Sequence, residues 1–324
     1  MAEIQTLLNK ILNAIYGKDV RQSIHDAILQ CYEDGKAGSQ DLIARNRVDE
    51  IQNNIANPNL LINGDFRNPV NQRGILKYEG QTSKGYTIDR WCMAEQDYQR
   101  TVEVIEGGVK VTNPNTTYVG TLQQIFEKPL PVGNYTITVK VKEISGGATV
   151  SCAGSHESIR KDLKVGVNTL TLEGALINSV RVFLAQSSSV TIEYIKLEYG
   201  KIATPFVPRP YAEELALCQR YYARLSTTYP MLVTQRSNAD ITTYIFIPTP
   251  QSLRAAPTIQ YANVKLLQNG VGGTWWDVAD VTCVGFSNMG ATLQLTGEKN
   301  FEAGVPYYLI LPNSGYIKMD AEIY

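Results

Sequence analysis

The stretch Ile195-Lys-Leu-Glu-Tyr-Gly-Lys-Ile-Ala-Thr-Pro-Phe-Val-Pro-Arg-Pro-Tyr211 changes character three times. Ile192 to Leu197 alternates as a strand does, offering Ile192, Tyr194 or Ile195, and Leu197 to a core. Gly200, Pro205, Pro208 and Pro210 then interrupt any ladder, because proline fixes φ and carries no backbone donor. Tyr211 to Tyr222 reads as a short helix, with Glu213 and Glu214 in its first turn and Arg220 near its end, the charge order a helix dipole favours. β-type sequence begins near Asn59 and stops at this stretch, and a second β-type run follows it. It is a joint between two domains.

Working outward, residues 59–207 read as an all-β sandwich. Short alternating runs recur at Val102–Ile105, Gly107–Thr112, Tyr135–Lys142, Thr169–Leu172, Val180–Leu184 and Val190–Tyr194. Gly107-Gly108, Pro131-Val-Gly133, Gly146-Gly147 and Ser187-Ser-Ser189 are the turn signals between them. Strands at such spacing with no intervening helices predict a jelly roll or a related sandwich. Segment 67–85 has few strand signals and reads as a long surface loop. Residues 223–324 form a second, smaller sandwich, with its strongest strands at Thr242–Ile247 and Tyr307–Leu311, and residues 208–222 are the linker helix.

Upstream the period changes. Ile4, Leu7, Leu8, Ile11 and Ile15 recur at helical spacing; Gly17 ends or bends that helix, and Asp19 caps a second stripe through Val20, Ile24, Ala27, Ile28 and Cys31. Asp34–Ser39 is a break. Ala44, Val48, Ile51 and Ile55 then form an a/d seam about two heptads long. So short a seam is unstable alone, so residues 1–58 are expected to self-associate, and β-branched seam residues lean toward trimers. The fold class expected is therefore mainly β with an N-terminal α-helical region: a jelly-roll sandwich followed by a second small β-sandwich.

Composition narrows the function. The 324 residues suit two or three domains. A net charge of -1 gives no reason to expect nucleic acid or an anionic membrane as partner, and no apolar run reaches the roughly 18 residues a transmembrane helix needs. The opening Met-Ala-Glu-Ile-Gln-Thr lacks the basic and apolar regions of a secretory leader, so none is expected. Five well-separated cysteines, with no CxxC, read as reduced thiols. With two histidines a triad or a His-rich metal site is hard to build. His25 falls in a helical stripe and His156 in a Ser/Gly-rich loop. No phosphate-cradling glycine motif is present. The sequence does not point to an enzyme.

The run "KLEYG", "ATPFVPRP", "EELALCQRYY" resembles the junction found in many phage tail-fibre and receptor-binding proteins. Asn59-Leu-Leu-Ile-Asn-Gly-Asp-Phe66 and Tyr86-Thr-Ile-Asp-Arg-Trp91 are similar to the opening of that family's jelly-roll, carbohydrate-binding-like domain. Ala14-Ile-Tyr-Gly-Lys-Asp-Val-Arg-Gln-Ser-Ile-His-Asp-Ala-Ile28 is similar to N-terminal segments of tail and baseplate proteins from phages of Gram-positive bacteria. The resemblance implies a homotrimer in the virion tail, made in the host cytoplasm. Its N-terminal helices would join other tail or baseplate proteins, and its β domains, the last a distal head, would attach to a host cell-wall saccharide without turning it over. A structural connector of the tail or baseplate and a polysaccharide hydrolase are the rival expectations.

Saccharide binding asks for a flat aromatic face beside hydrogen-bonding side chains. Trp275-Trp-Asp277 offers one: adjacent strand residues point to opposite faces, so at most one of Trp275 and Trp276 belongs in the core. Tyr78, Tyr86 and Tyr98 are further candidates in the loop-rich part of the first sandwich. Trp91 reads as core, and Asp89 and Arg90 as a structural pair. No cofactor is required, but a structural calcium is a further expectation. Asn63 and Asp65 offer oxygens at a turn and Glu198 ends a strand nearby, where the jelly-roll modules this region resembles often carry the ion.

Overall fold

Val180 to Leu184 shows why this chain folds as sheet. Val180, Val182 and Leu184 are fully buried, and the intervening Arg181 and Phe183 are only half-buried. The same two-residue period holds at Ile137, Val139 and Val141, all in the core. In a computed structural model, residues 18–37, 56–81, 85–94, 100–155, 159–226, 231–233, 240–268, 273–287 and 289–323 are described. The chain divides into two compact units, Met1–Pro58 with Thr204–Val207, and Asn59–Ala203 with Pro208–Tyr324.

Within the first unit, α1 spans Lys18–Ala37. It runs through the break expected at Asp34. The helix expected before Gly17 and the seam of Ala44, Val48, Ile51 and Ile55 lie outside the described residues. Among the described residues no helix is long and apolar enough to cross a membrane.

The second unit opens with nine antiparallel strands: β1 Lys77–Gln81, β2 Cys92–Met93, β3 Arg100–Ile105, β4 Gly108–Asn113, β5 Gly120–Ser145, β6 Ala148–Gly154, β7 Arg160–Asp162, β8 Gly166–Leu184 and β9 Ser188–Tyr199. Their order is β1-β3-β4-β9-β5-β8-β6-β7, with β2 also paired to β5. β5 is 26 residues long and serves both halves of the sheet. Tyr135 to Val141 pairs with Gly166 to Leu172 of β8 and with β9, whereas Gly120 to Ile125 pairs with Ser179 to Leu184 and with β2. Between these parts the register slips at Ile125/Leu130, Leu130/Gly133 and Gly133/Tyr135. Bulges bend and twist a strand, so the sheet turns a corner, and its halves enclose one core that holds both Val139 and Val182. Pro131–Gly133, expected as a turn between strands, is this corner inside β5, and β1 lies within the loop expected at 67–85.

Asn59–Phe66 closes the sandwich beside β9. Asn59 Oδ1 accepts from Leu61 N–H and Leu197 N–H, and its Nδ2 donates to Ile195 O at 2.9 Å. A Cβ on Gly64 would lie 2.5 Å from Ile195 O, so this close approach demands glycine.

The remainder comprises α2 Tyr211–Gln219 and β10 Tyr222–Leu225, β11 Met231–Leu232, β12 Asp240–Pro248, β13 Thr258–Ala262, β14 Lys265–Gln268, β15 Trp275–Ser287, β16 Gly290–Phe301, β17 Tyr307–Ile310 and β18 Tyr316–Asp320. A three-stranded sheet, β10-β18-β13, and a six-stranded one, β11-β17-β14-β15-β16-β12, share a second core that includes Ile245, Leu266, Leu293, Leu309 and Ile317.

α2 is more than a tether. Glu214 in its first turn accepts from Asn63 N–H at 2.6 Å and is gripped by Arg209, which also donates to Leu61 O. The carboxylate read from sequence as a dipole partner therefore also fixes the opening of the first sandwich.

Candidate functional site

The strands that bury Leu122, Val150 and Val182 on one face must present their alternate side chains on the other. Register sorts those side chains into rows across β5, β8 and β6: Thr121–Phe183–Thr149, Gln123–Arg181–Ser151 and Ile125–Ser179–Ala153. β7 extends the first two rows with Asp162 and Arg160. A cleft of about 420 Å³ lies on this face, with Gln123, Ser179, Arg181 and Phe183 among its lining residues. That volume suits a small organic ligand or a few sugar units.

The floor of the cleft is polar and recessed. Gln123 is 5% exposed and Ser179 2%, and the Ser179 Oγ meets no hydrogen-bond partner. A buried hydroxyl without a partner carries a desolvation penalty, which a ligand seated against it would relieve. At the rim, the Arg160 guanidinium lies over the Phe183 ring, 4.1 Å from its centroid; cation–π attraction holds it there. Among the described residues the lining contains no Asp or Glu. Glycoside hydrolysis generally requires a carboxyl pair flanking the scissile bond, and the described lining residues hold none.

A second cluster of arginines joins the two β parts. Arg73 donates to Asp89 Oδ1 at 2.8 Å, and its guanidinium stacks 3.9 Å from the Tyr222 ring centroid. Arg90 pairs with Glu322, donates to Ile125 O at 2.6 Å and stacks 3.7 Å from the Tyr221 centroid. Asp89 and Arg90, expected as a pair with each other, thus pair elsewhere, since Arg90 adopts φ +70° and its side chain departs from that of its neighbour. Burial pushes the Asp89 carboxyl up to about 6, against the lowering effect of Arg73. Tyr86 belongs to this seam too, its hydroxyl donating to Ile323 O. At its margin Arg220 grips Glu127 and holds that carboxyl below its usual range.

The residues singled out from sequence fall as follows. Trp275 is 55% exposed, whereas Trp276 turns inward, stacked 5.9 Å from Phe301 and edge-on to Tyr307. Asp277 beside them is held by Lys265. Tyr78 is 4% exposed, and its hydroxyl donates to Asn71 Oδ1, so its ring offers no open face to a sugar. Tyr98 and His156 lie outside the described residues. Trp91 is core, edge-on to Phe66, with Nε1 donating to Asn63 O.

The calcium expectation does not fit these side chains. Asn63 Oδ1 already accepts from Val70 N–H, and its Nδ2 donates to Val70 O and Asp89 O. Asp65 is clasped by Arg67 through both oxygens, and Glu198 is paired with Lys196. Among the described residues no group of three or more His, Cys, Asp or Glu could hold a metal ion.

No protein-family model and no curated protein matches the chain. Solved structures of family 29 carbohydrate-binding modules do resemble part of it. One variant module aligns at 10% identity over 41% of this chain and 97% of its own, with a TM-score of 0.26. Another, solved with cellulohexaose, aligns at 9% identity over 40% and 92%, with a TM-score of 0.25. A module from Piromyces equi aligns at 11% identity over 38% and 89%, with a TM-score of 0.22. Likeness this distant carries no ligand from those modules to this chain.

Proposed function

We propose that this chain is a saccharide-binding protein of the phage tail receptor-binding type, which attaches without turning its ligand over and binds in the cleft on the β5–β8–β6 face. The observation that carries the reading is the recessed polar floor of the cleft, where Gln123 and Ser179 are buried and the Ser179 Oγ has no hydrogen-bond partner. In this reading residues 1–58 trimerise and attach to other tail or baseplate proteins, residues 59–207 form a jelly roll carrying the cleft, and residues 223–324 form the outer head. Each cleft is weak alone, and three acting together supply avidity. No cofactor is required. Titration of the full chain with wall polysaccharide from a Gram-positive bacterium tests it: saturable binding with no release of reducing ends is expected. Reducing ends released in step with protein concentration would establish the hydrolase instead.

A structural connector is the second reading, and one surface favours it. Tyr244, Phe246, Val284, Phe286 and Met289 all stand exposed around β12 and the β15–β16 turn. An apolar face of this kind serves protein contacts. Retention of the chain by purified tail proteins, with no affinity for any wall polysaccharide, would support the connector.

A further inference from the structure

We infer that Glu322, from the C-terminal β part, is a positioning residue for the saccharide cleft: through Arg90 it fixes the cleft floor at Ile125. The inference rests on the saccharide reading above and adds to it a coupling between the cleft and the seam. Glu322 follows β18, and its two oxygens accept from the Arg90 backbone N–H and from the Arg90 guanidinium. One carboxylate thus holds both the backbone and the side chain of a residue at φ +70°. A non-glycine residue in that region is strained and persists only where its surroundings over-determine it. So held, Arg90 Nη2 donates to Ile125 O at 2.6 Å. Ile125 lines the cleft and stands opposite Ser179 in the β5–β8 register. It is also the last paired residue before that register slips toward Leu130. A slip of this kind disrupts the ladder locally, so the donor from Arg90 holds the floor where the ladder stops.

Two further contacts reach the same strands from the C-terminal side. Arg220 and Tyr221 both donate to Glu127, two residues beyond Ile125 on β5, and the Arg90 guanidinium stacks on the Tyr221 ring. The Tyr86 hydroxyl donates to Ile323 O and accepts from Ile323 N–H. Tyr86 in turn meets the Cys92 thiol, and Cys92 faces Gln123 of the cleft floor across the β2–β5 pair. Adhesion between two β parts does not need such pairs, since buried ions are often replaceable by apolar residues of similar volume. An apolar residue cannot replace the directed donor to Ile125 O. Binding groups work only when supporting hydrogen bonds hold them within roughly 0.5 Å of the productive geometry.

The test is calorimetric titration of wall polysaccharide from a Gram-positive bacterium into the full native chain and into the double variant Arg90→Met with Glu322→Leu. That variant keeps the seam packed, so its urea midpoint is expected near the native one, but it lacks the donor to Ile125 O. Polysaccharide affinity is expected to fall by about fivefold or more, a loss that a purely structural role would not produce at recovered stability. Native affinity in the folded variant overturns the inference and leaves the saccharide cleft standing. Should the variant not fold, amide hydrogen exchange in the native chain decides, read at Arg90 and Ile323, whose N–H groups bond Glu322 and Tyr86. Coupling is reciprocal, so saturating polysaccharide is expected to slow exchange at both amides severalfold; unchanged exchange at saturation overturns the inference. No saturable binding by the native chain overturns the saccharide reading and the inference with it.

Discussion

Two pairs of arginines in this molecule use one device to different ends. At the seam, Arg73 and Arg90 stack on Tyr222 and Tyr221 and meet the buried carboxylates of Asp89 and Glu322. At the cleft, Arg160 stacks on Phe183 and Arg181 lines a recess that contains no carboxylate among the described residues. Stacking by itself therefore does not distinguish structure from function. At the seam the carboxylates come from distant parts of the chain, Asp89 and Glu322, and there the arginines join two sheets.

The seam should respond most strongly to mutation. Glu322→Ala leaves the buried Arg90 without its carboxylate, and truncating one partner of such a pair costs about 3–5 kcal/mol. Urea denaturation of the variant would reveal it, and an unchanged midpoint would show that the pair contributes no stability. Arg90→Met with Glu322→Leu should recover most of the loss, because a buried pair is often replaceable by apolar residues of similar volume.

Asp89 gives the seam a pH signature. Its carboxyl is raised from 3.8 to about 6 by burial. A group raised in the folded state contributes stability that is present below its unfolded value and lost as pH rises through its folded one. The Asp89 contribution should thus decline between about pH 4 and 6, by roughly 3 kcal/mol. Asp89→Asn lacks that decline. Denaturation midpoints of both proteins at pH 4 and pH 6.5 would show the gap moving in favour of the variant; a constant gap would contradict the shift.

Cleft substitutions should affect binding and spare the fold. Arg181→Gln is expected to weaken binding of wall polysaccharide at least tenfold, about 1.4 kcal/mol or more, while folding stability changes by no more than about 0.5 kcal/mol. A loss of stability matching the seam variants would place Arg181 with the structural arginines. Trp275→Ala should do least. An exposed side chain on β15 away from the cleft is expected to alter stability by less than about 0.5 kcal/mol and leave polysaccharide affinity unchanged. Sedimentation of the same variant checks the connector reading, in which the oligomer would weaken.

Much of the sheet was legible because its period is two. Tyr135–Lys142 and Val180–Leu184 announce themselves. The inward turn of Trp276 against an outward Trp275 follows from alternation alone. The 26-residue β5 was not legible, since Pro131 and Gly133 signal a turn equally well when they form a bulged corner within one strand. The cleft was hidden for a related reason. Gln123, Ser151 and Arg181 come from three strands, and only the register sets them in one row. Arg181 was in view within Val180-Arg-Val-Phe-Leu184, where its apolar neighbours drew the reading toward the core. Asn63, read from the sequence as a calcium ligand, bonds the nearby backbone, a use that an oxygen-rich turn shares with ion binding and that sequence alone does not separate.

The central claim is that the β5–β8–β6 cleft, and not the aromatic surface near Trp275, holds the saccharide. The most direct measurement is calorimetric titration of one wall polysaccharide into the native chain, Arg181→Gln and Trp275→Ala side by side. Binding lost in Arg181→Gln and retained in Trp275→Ala is the predicted result. Binding retained in Arg181→Gln and lost in Trp275→Ala would contradict it and move the site to the C-terminal sheet.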